Sequence, residues 1–369
     1  MRQQTSTTSD PNSDGGKTPS ERSERSALMP KTPSFRPRVG KFLHDFQIGI
    51  NDMTLEAFTR RLCAMNVYRV FFDYTTVIML DVKEAAPSFD KHPELSRYSD
   101  ISCREATRVR VPVRNASKPE HDFIHANYVD GFREPRKFIL TQAPLSSTIE
   151  QFWRMVWQEK STMVVALTII DGINCPTYLP TTSGHKFTAG TFVITHAGTR
   201  HIRESYDATV LMVSNGNEPV RKIVHITFYT WPDKGTPTRP TEVLYLLEDM
   251  NFNRKLLMEE ANHAGWLAPN EQSPTVVHCV AGVGRSGAFV ALDICARRLD
   301  GTFNRPFGPL CDVRDTVLRI RTQREMAIQK AEQFLFIHLA VVEYALRQRL
   351  YDTVDAIDLT PFMMNSSIQ

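Results

Sequence analysis

The sequence predicts an α+β domain, a mixed α/β arrangement in which one β-sheet is flanked by helices. Apolar residues recur at helical spacing in four segments, β-branched runs alternate with turns through the middle of the chain, and one such run ends in a glycine-bearing loop that opens onto a helix. Residues 54–71 read as one helix, with Leu55, Phe58, Leu62 and Met65 near its repeat. After Ser147, the residues Ile149, Phe152, Trp153, Val156 and Trp157 mark one helical face, and Ser147-Thr148-Ile149-Glu150 supplies a capping box in front of it. Residues 163–170 read as a buried strand, and 190–195, 208–213 and 223–229 as further strands. Val243, Leu246, Leu247 and Met250 restore the helical repeat, as do Phe334, Ile337, Val341 and Ala345.

Of the 369 residues, 44 are basic and 41 acidic, and residues 1–40, with seven basic and four acidic side chains, carry the whole formal surplus of +3. The remainder balances to zero, which disfavours a nucleic-acid or membrane partner held by the overall field but not a local anion site. The first 40 residues hold twelve Ser or Thr and five Pro, too few large apolar groups to offset ordering entropy, and read as a disordered tail. Lys-Thr-Pro-Ser occurs there twice, making Thr18 and Thr32 candidate phosphorylation sites or parts of partner-binding peptides; coincidence in a biased segment is the competing reading. One catalytic-sized domain is expected over 41–352, with a helical N-terminal part at 41–94, a core at 95–350 and a C-terminal tail at 353–369. No run approaches the roughly 18 apolar residues of a spanning helix. No signal-peptide pattern opens the chain, so a cytoplasmic location is expected. The six cysteines contain no Cys-X2-Cys pair, so neither a disulfide framework nor a metal site is expected.

The strongest motif is Thr275-Val276-Val277-His278-Cys279-Val280-Ala281-Gly282-Val283-Gly284-Arg285-Ser286-Gly287. It places a cysteine at a strand end, with loop amides and a helix N-terminus facing one concavity. Such amides cradle an anion and favour thiolate over thiol. Arg285 adds a planar, bidentate fork for a phosphoryl group. Cys63 and Arg69 repeat the Cys-X5-Arg spacing, but within the expected first helix and without glycine, so Cys63 reads as a core residue.

His-Cys-X2-Gly-X-Gly-Arg-Ser-Gly resembles the signature of the non-receptor-like protein tyrosine phosphatases, of which this chain would be a divergent member. That resemblance implies a highly twisted mixed sheet flanked by helices, with the nucleophile loop at a strand-to-helix turn. Tyr229-Thr230-Trp231-Pro232-Asp233 resembles the family's mobile acid loop, making Asp233 the general acid. The segment from Arg321 to Gln333 is similar to its glutamine loop, so Gln329 would place the hydrolytic water and Gln333 assist. Arg97-Tyr98-Ser99-Asp100-Ile101 resembles the recognition loop, in which Tyr98 would stack on phosphotyrosine and Asp100 hold the substrate backbone. The segments 125–132, 138–144 and 152–157 resemble scaffold motifs. Departures from the family touch each loop: Ser96 for an Asn, Val280 for Ser or Thr, Leu179 for Trp, Met326 for a frequent Gly, and a shortened Asp171-Gly172-Ile173-Asn174-Cys175 from which Asp171 would brace Arg285. Met326 is expected to narrow the approach to the pocket.

The reaction this implies is hydrolysis of phosphotyrosine in proteins by two-step covalent catalysis without a cofactor. Cys279 would attack phosphorus, and Arg285 with the amides of Val280, Ala281, Gly282, Val283 and Gly284 would hold the equatorial oxygens. Asp233 would protonate the leaving oxygen, and Ser286 would stabilise the departing thiolate. The competing class is a catalytically impaired adaptor that only binds phosphotyrosine. Activity on phosphoserine or phosphoinositides is disfavoured by Tyr98, which a shallow pocket would not need.

Overall fold

A computed structural model describes residues 53–113, 121–232, 235–351, 354 and 357–363. Thr18, Thr32, the rest of the expected tail and Asp233 lie outside the described residues. Among the described residues, no helix is long and apolar enough to cross a membrane.

The helices are α1 (Leu55–Cys63), α2 (Val67–Met79), α3 (Pro87–Asp90), α4 (Ile149–Gln158), α5 (Thr241–His263), α6 (Gly284–Thr302), α7 (Val313–Gln323), α8 (Ala331–Arg347) and α9 (Thr360–Met363). The strands are β1 (Met53–Thr54), β2 (Arg108–Val113), β3 (His121–Gly131), β4 (Glu134–Thr141), β5 (Met163–Ala166), β6 (Lys186–Ala189), β7 (Phe192–Ile202), β8 (Tyr206–Asn215), β9 (Arg221–Phe228), β10 (Thr275–His278) and β11 (Leu310–Cys311). Nine form one sheet in the order β2-β3-β4-β10-β5-β9-β8-β7-β6, and β1 pairs with β11 in a small second sheet that the sequence reading does not include.

At the centre of the large sheet, β4, β10, β5 and β9 run parallel, with antiparallel strands on either side. A central parallel strand is covered on both faces, which is why all four residues of β10, the polar Thr275 and His278 included, are buried rather than alternating. The pleat still separates its side chains: Val277 joins the core under α5, α6, α7 and α8, while Val276 joins the core under α4. Val165 and Val164 of β5 divide in the same way. Because the four strands are parallel, their C-terminal ends lie at one edge of the sheet, where open α/β sheets place ligands.

Several expected elements differ in detail. Residues 54–71 contribute to two helices: Asn66 is extended and its side-chain oxygen caps α2 by accepting from the Arg69 amide at 2.9 Å. Cys63 consequently ends α1 and is partly exposed, not core. The capping box of Ser147 and Glu150 is not used; the Leu145 amide donates to Thr148 Oγ1 at 2.9 Å, and Glu150 pairs with Arg154 at 2.7 Å. The strand expected over 163–170 ends at Ala166, because the next carbonyl, of Leu167, turns to accept from Arg285 Nη1 at 3.1 Å. Gly190 takes a left-handed turn with φ 59°, so β7 starts only at Phe192.

Candidate active site

The edge formed by the parallel strands gathers the loops singled out in the sequence. β10 delivers Cys279, β5 delivers Leu167, β4 delivers Gln142, and β9 leads towards Trp231. Trp231 is buried against Phe228 and Phe336 and donates from Nε1 to the Gly235 carbonyl at 3.3 Å.

Carbonyl directions determine what the nucleophile loop offers. Val280 O accepts from the Ala143 amide at 2.9 Å, and Val283 O from the amides of Ile328 and Gly287, each at 3.0 Å. Between them, Arg324 donates from Nη2 to Ala281 O at 3.2 Å and from Nε to Gly282 O at 3.1 Å. With four successive carbonyls drawn outwards, planar trans peptides turn the intervening amides to the opposite side. That side holds the Cys279 sulfur, which accepts from the Gly282 amide at 3.2 Å. The result is a ring of N–H groups at the first turn of α6, fit for an anion with three equatorial oxygens.

Electrostatics separate Cys279 from the other cysteines. Burial pushes its thiol up, but the hydroxyl and amide of Ser286, the Arg285 charge and the Gly282 amide outweigh burial and hold it below the ordinary cysteine range. The Ser286 hydroxyl is buried with no hydrogen bond elsewhere. At Cys103 and Cys175 burial outweighs the nearby Arg324 and Arg97 charges and raises the thiols to about 11 and about 12. Cys279 is thus a buried residue, 5% exposed, whose surroundings favour the thiolate more than those of an ordinary cysteine do.

Gly282 has φ 71°, and a β-carbon there would lie 1.9 Å from the Thr141 carbonyl oxygen. We predict that Gly282→Ala lowers kcat by on the order of 10²-fold, since the loop must move by about an ångström to fit the methyl. Gly216→Ala has a similar φ of 55° but open space around it, and should leave kcat nearly unchanged. Equal losses in the two variants would show that backbone strain, and not the Thr141 contact, is responsible.

The glutamine loop packs directly on the nucleophile helix. Gln333 accepts from the Gln329 amide at 2.9 Å, and both side chains lie against Gly284, where a β-carbon would come within 2.9 Å of Gln333 and 3.1 Å of Gln329. Met326 and Ile328 hold φ values of 59° and 58°, the left-handed region that favours glycine, so the position where the family often has Gly is conformationally demanding here. In the recognition loop, Tyr98 is 42% exposed and Asp100 is exposed, both available to a ligand. The Ser96 hydroxyl is buried without a partner, and Gln142 holds the loop instead, accepting from the Arg97 amide and donating to Leu95 O, both at 2.9 Å.

The expected brace from Asp171 to Arg285 is replaced. Asp171 Oδ1 accepts from the amides of Ile173 and Asn174 at 2.9 and 2.8 Å and Oδ2 from the Asn174 side chain, so its carboxylate closes its own turn. Its shortened loop leaves it capping backbone, and the Leu167 carbonyl is what holds Arg285 Nη1.

Two positioning residues were not assigned roles from the sequence. Arg324, fully buried, also donates from Nη1 to Asn127 Oδ1 at 2.8 Å and from Nη2 to His125 Nδ1 at 3.1 Å. His125, pushed down to about 3 by burial and by Arg324, is neutral, and its Nε2–H donates to Ile101 O at 2.9 Å. One buried chain therefore ties the recognition loop to the nucleophile loop. On the other side, His278 and His225 are pushed by burial to about 4 and about 3, so both are neutral. His278 Nδ1–H donates to Cys279 O at 2.9 Å, leaving Nε2 to accept from Tyr178 at 2.6 Å. The visible sequence signal was a buried-type polar residue inside an apolar strand, at His125, His225 and His278.

The sequence family described as protein-tyrosine phosphatase matches residues 92–343. The chain is 34% identical over 259 residues to a Tyrosine-protein phosphatase Lar-like of Caenorhabditis elegans, covering 69% of this chain and 11% of that protein. It is 33% identical over 266 residues to Tyrosine-protein phosphatase non-receptor type 9 of Rattus norvegicus, covering 69% and 42%. Tyrosine phosphatase H2 of Microplitis demolitor bracovirus is 32% identical over 254 residues, covering 68% and 75%. The chain thus spans less than half the length of the first two relatives.

Proposed function

Because this chain belongs to the protein-tyrosine phosphatase family, we propose that it hydrolyses phosphotyrosine in proteins through a cysteinyl-phosphate intermediate. The observation that carries the reading is a cysteine with a depressed pKa at the floor of an inward-facing amide ring, with Arg285 beside it. The Cys279 thiolate attacks phosphorus in line as the P–O bond to tyrosine breaks, and the amides of residues 280–284 with Arg285 take the charge on the equatorial oxygens. Asp233 donates the proton that the phenolate oxygen needs, then recovers one from the water that Gln329 places. That water breaks the S–P bond, releasing inorganic phosphate, and Ser286 receives the thiolate. Tyr98 stacks on the substrate ring, Asp100 holds its backbone, and Gln333 supports Gln329.

In this reading the catalytic unit is 41–352, it works in the cytoplasm without a cofactor, and its partners are phosphotyrosine proteins. The segment 1–40 serves location or partner binding, with Thr18 and Thr32 as its modification sites. The test is phosphate release from a phosphotyrosine peptide and its phosphoserine counterpart. A kcat/KM at least ~10³-fold higher for phosphotyrosine is expected, since a phosphate on a shorter side chain does not reach the sulfur of a deep site. Equal rates on both would overturn the specificity, and peptide binding without phosphate release would make the protein an adaptor.

The pH dependence follows from the direction of the Cys279 shift. The reactive form is deprotonated, so a depressed pKa moves the rise of thiol reactivity to lower pH. The rate of alkylation of Cys279 by iodoacetamide should reach half its maximum below the pH at which a free cysteine does, about 8.5. A midpoint at or above that of free cysteine would count against the amide and hydroxyl donors.

A further inference from the structure

At the opposite end of β4 from the nucleophile loop, on the order of 15 Å along the strand, a cavity of about 380 Å³ opens between β2, β3, β4 and the end of α4. That volume is within the range of small-molecule sites. Three arginines line it, Arg108, Arg110 and Arg136, against two carboxylates, Glu105 and Asp130.

Both carboxylates are already engaged by the fold. Asp130 Oδ1 accepts from the Arg136 amide and Oδ2 from Gln323 Nε2, each at 2.7 Å. Glu105 Oε1 accepts from Arg108 Nε at 2.7 Å and Arg110 Nη2 at 3.4 Å, and Oε2 from the Ser88 amide at 3.3 Å. Asp122 takes a further N–H from each of Arg108 and Arg110, at 2.9 and 3.2 Å. Arg136 differs from the other two. Its backbone is left-handed, with φ 52°, and pinned by its amide bond to Asp130. Its guanidinium is not in an ion pair among the described residues; it lies over the Tyr128 ring, 4.6 Å from the centroid.

A guanidinium stacked on one face presents its other face to a second ring, while its edge keeps N–H donors in a fixed fork. Pro135 and Ala106 supply apolar wall beside it. We propose that this cavity is a binding site for a small aromatic anion, its ring stacked on Arg136 and its acid group held by Arg136 and Arg110. The site is separate from the nucleophile loop and independent of the phosphatase reading.

Isothermal titration of the full chain with 2-naphthoate tests this. Binding should persist when the nucleophile loop is occupied by saturating orthovanadate. It should weaken about tenfold or more in Arg136→Ala and for the uncharged 2-naphthamide on the wild type, the loss expected for one charge-assisted bond and one stacked cation. Arg136 is exposed, so circular dichroism should show the variant folded. Displacement of naphthoate by vanadate would place the ligand in the active centre and overturn the proposal. So would equal affinity in wild type and Arg136→Ala, or no binding to the wild type at millimolar naphthoate.

Discussion

Cys279→Ser should reduce phosphate release from a phosphotyrosine peptide by on the order of 10⁴-fold or more, while peptide affinity stays within about threefold. The arguments for a large kinetic effect and a small binding effect come from different atoms. In the proposed reaction turnover needs a thiolate, and at Cys279 the Ser286, Arg285 and Gly282 donors outweigh burial and hold the thiol below the ordinary cysteine range. A serine hydroxyl in the same ring stays protonated at neutral pH and is a far weaker nucleophile. Affinity instead needs the amide ring and Arg285, and the ring is oriented by the carbonyl bonds of residues 280–283, none of which involves the sulfur. No neighbouring thiol substitutes, since burial raises Cys103 and Cys175 to about 11 and about 12. Single-turnover kinetics and peptide titration measure the two quantities. A residual rate within tenfold of wild type would mean that another group attacks phosphorus.

Lys137→Met should destabilise the fold by about 3–5 kcal/mol. Lys137 on β4 donates from Nζ to Asp293 Oδ2 on α6 and to Asn251 Oδ1 on α5, both at 2.7 Å, and Asn251 Nδ2 donates to Asp293 Oδ1 at 2.7 Å. Lys137 and Asp293 are both buried, so each charge has only this triad in place of water. Methionine fills much of the lysine volume, which keeps a cavity from forming and isolates the effect of stranding the Asp293 carboxylate. At roughly 2–4 °C per kcal/mol for a domain of this size, the melting temperature should fall by about 10 °C or more. Adding Asp293→Asn should recover much of the loss, because the stranded charge is then removed. A fall of less than about 2 °C for Lys137→Met would show that Asp293 is solvated or neutral.

The reach of the sequence can be followed residue by residue. Cys279 and Arg285 were legible because a β-branched run, glycines and a helix start are all local signals, and Gly282 is required by a contact that its own φ makes possible. The break at Asn66 was missed because the apolar spacing runs across it, and only the cap bond to Arg69 marks the second helix. Asp171 was assigned to Arg285 by position along the chain, yet two residues of its own turn, Ile173 and Asn174, compete for the carboxylate and win by proximity. Arg324 stood among other arginines in a polar stretch, and nothing local distinguishes a buried guanidinium from a solvated one before the nucleophile loop folds over it.

The sequence by itself determined the class of fold, the candidate thiol, and the anion-cradle pattern of its loop, because each depends on local signals in the chain. The tertiary structure decided how that loop is held: four parallel strands bring their ends to one edge, and Arg324, His125, Gln142 and Leu167, remote in sequence, converge there. Ala143, Arg324 and Ile328, which draw the loop carbonyls outwards, all arrive from elsewhere in the chain. The local motif therefore picks out the candidate nucleophile, and long-range packing aims the amides around it.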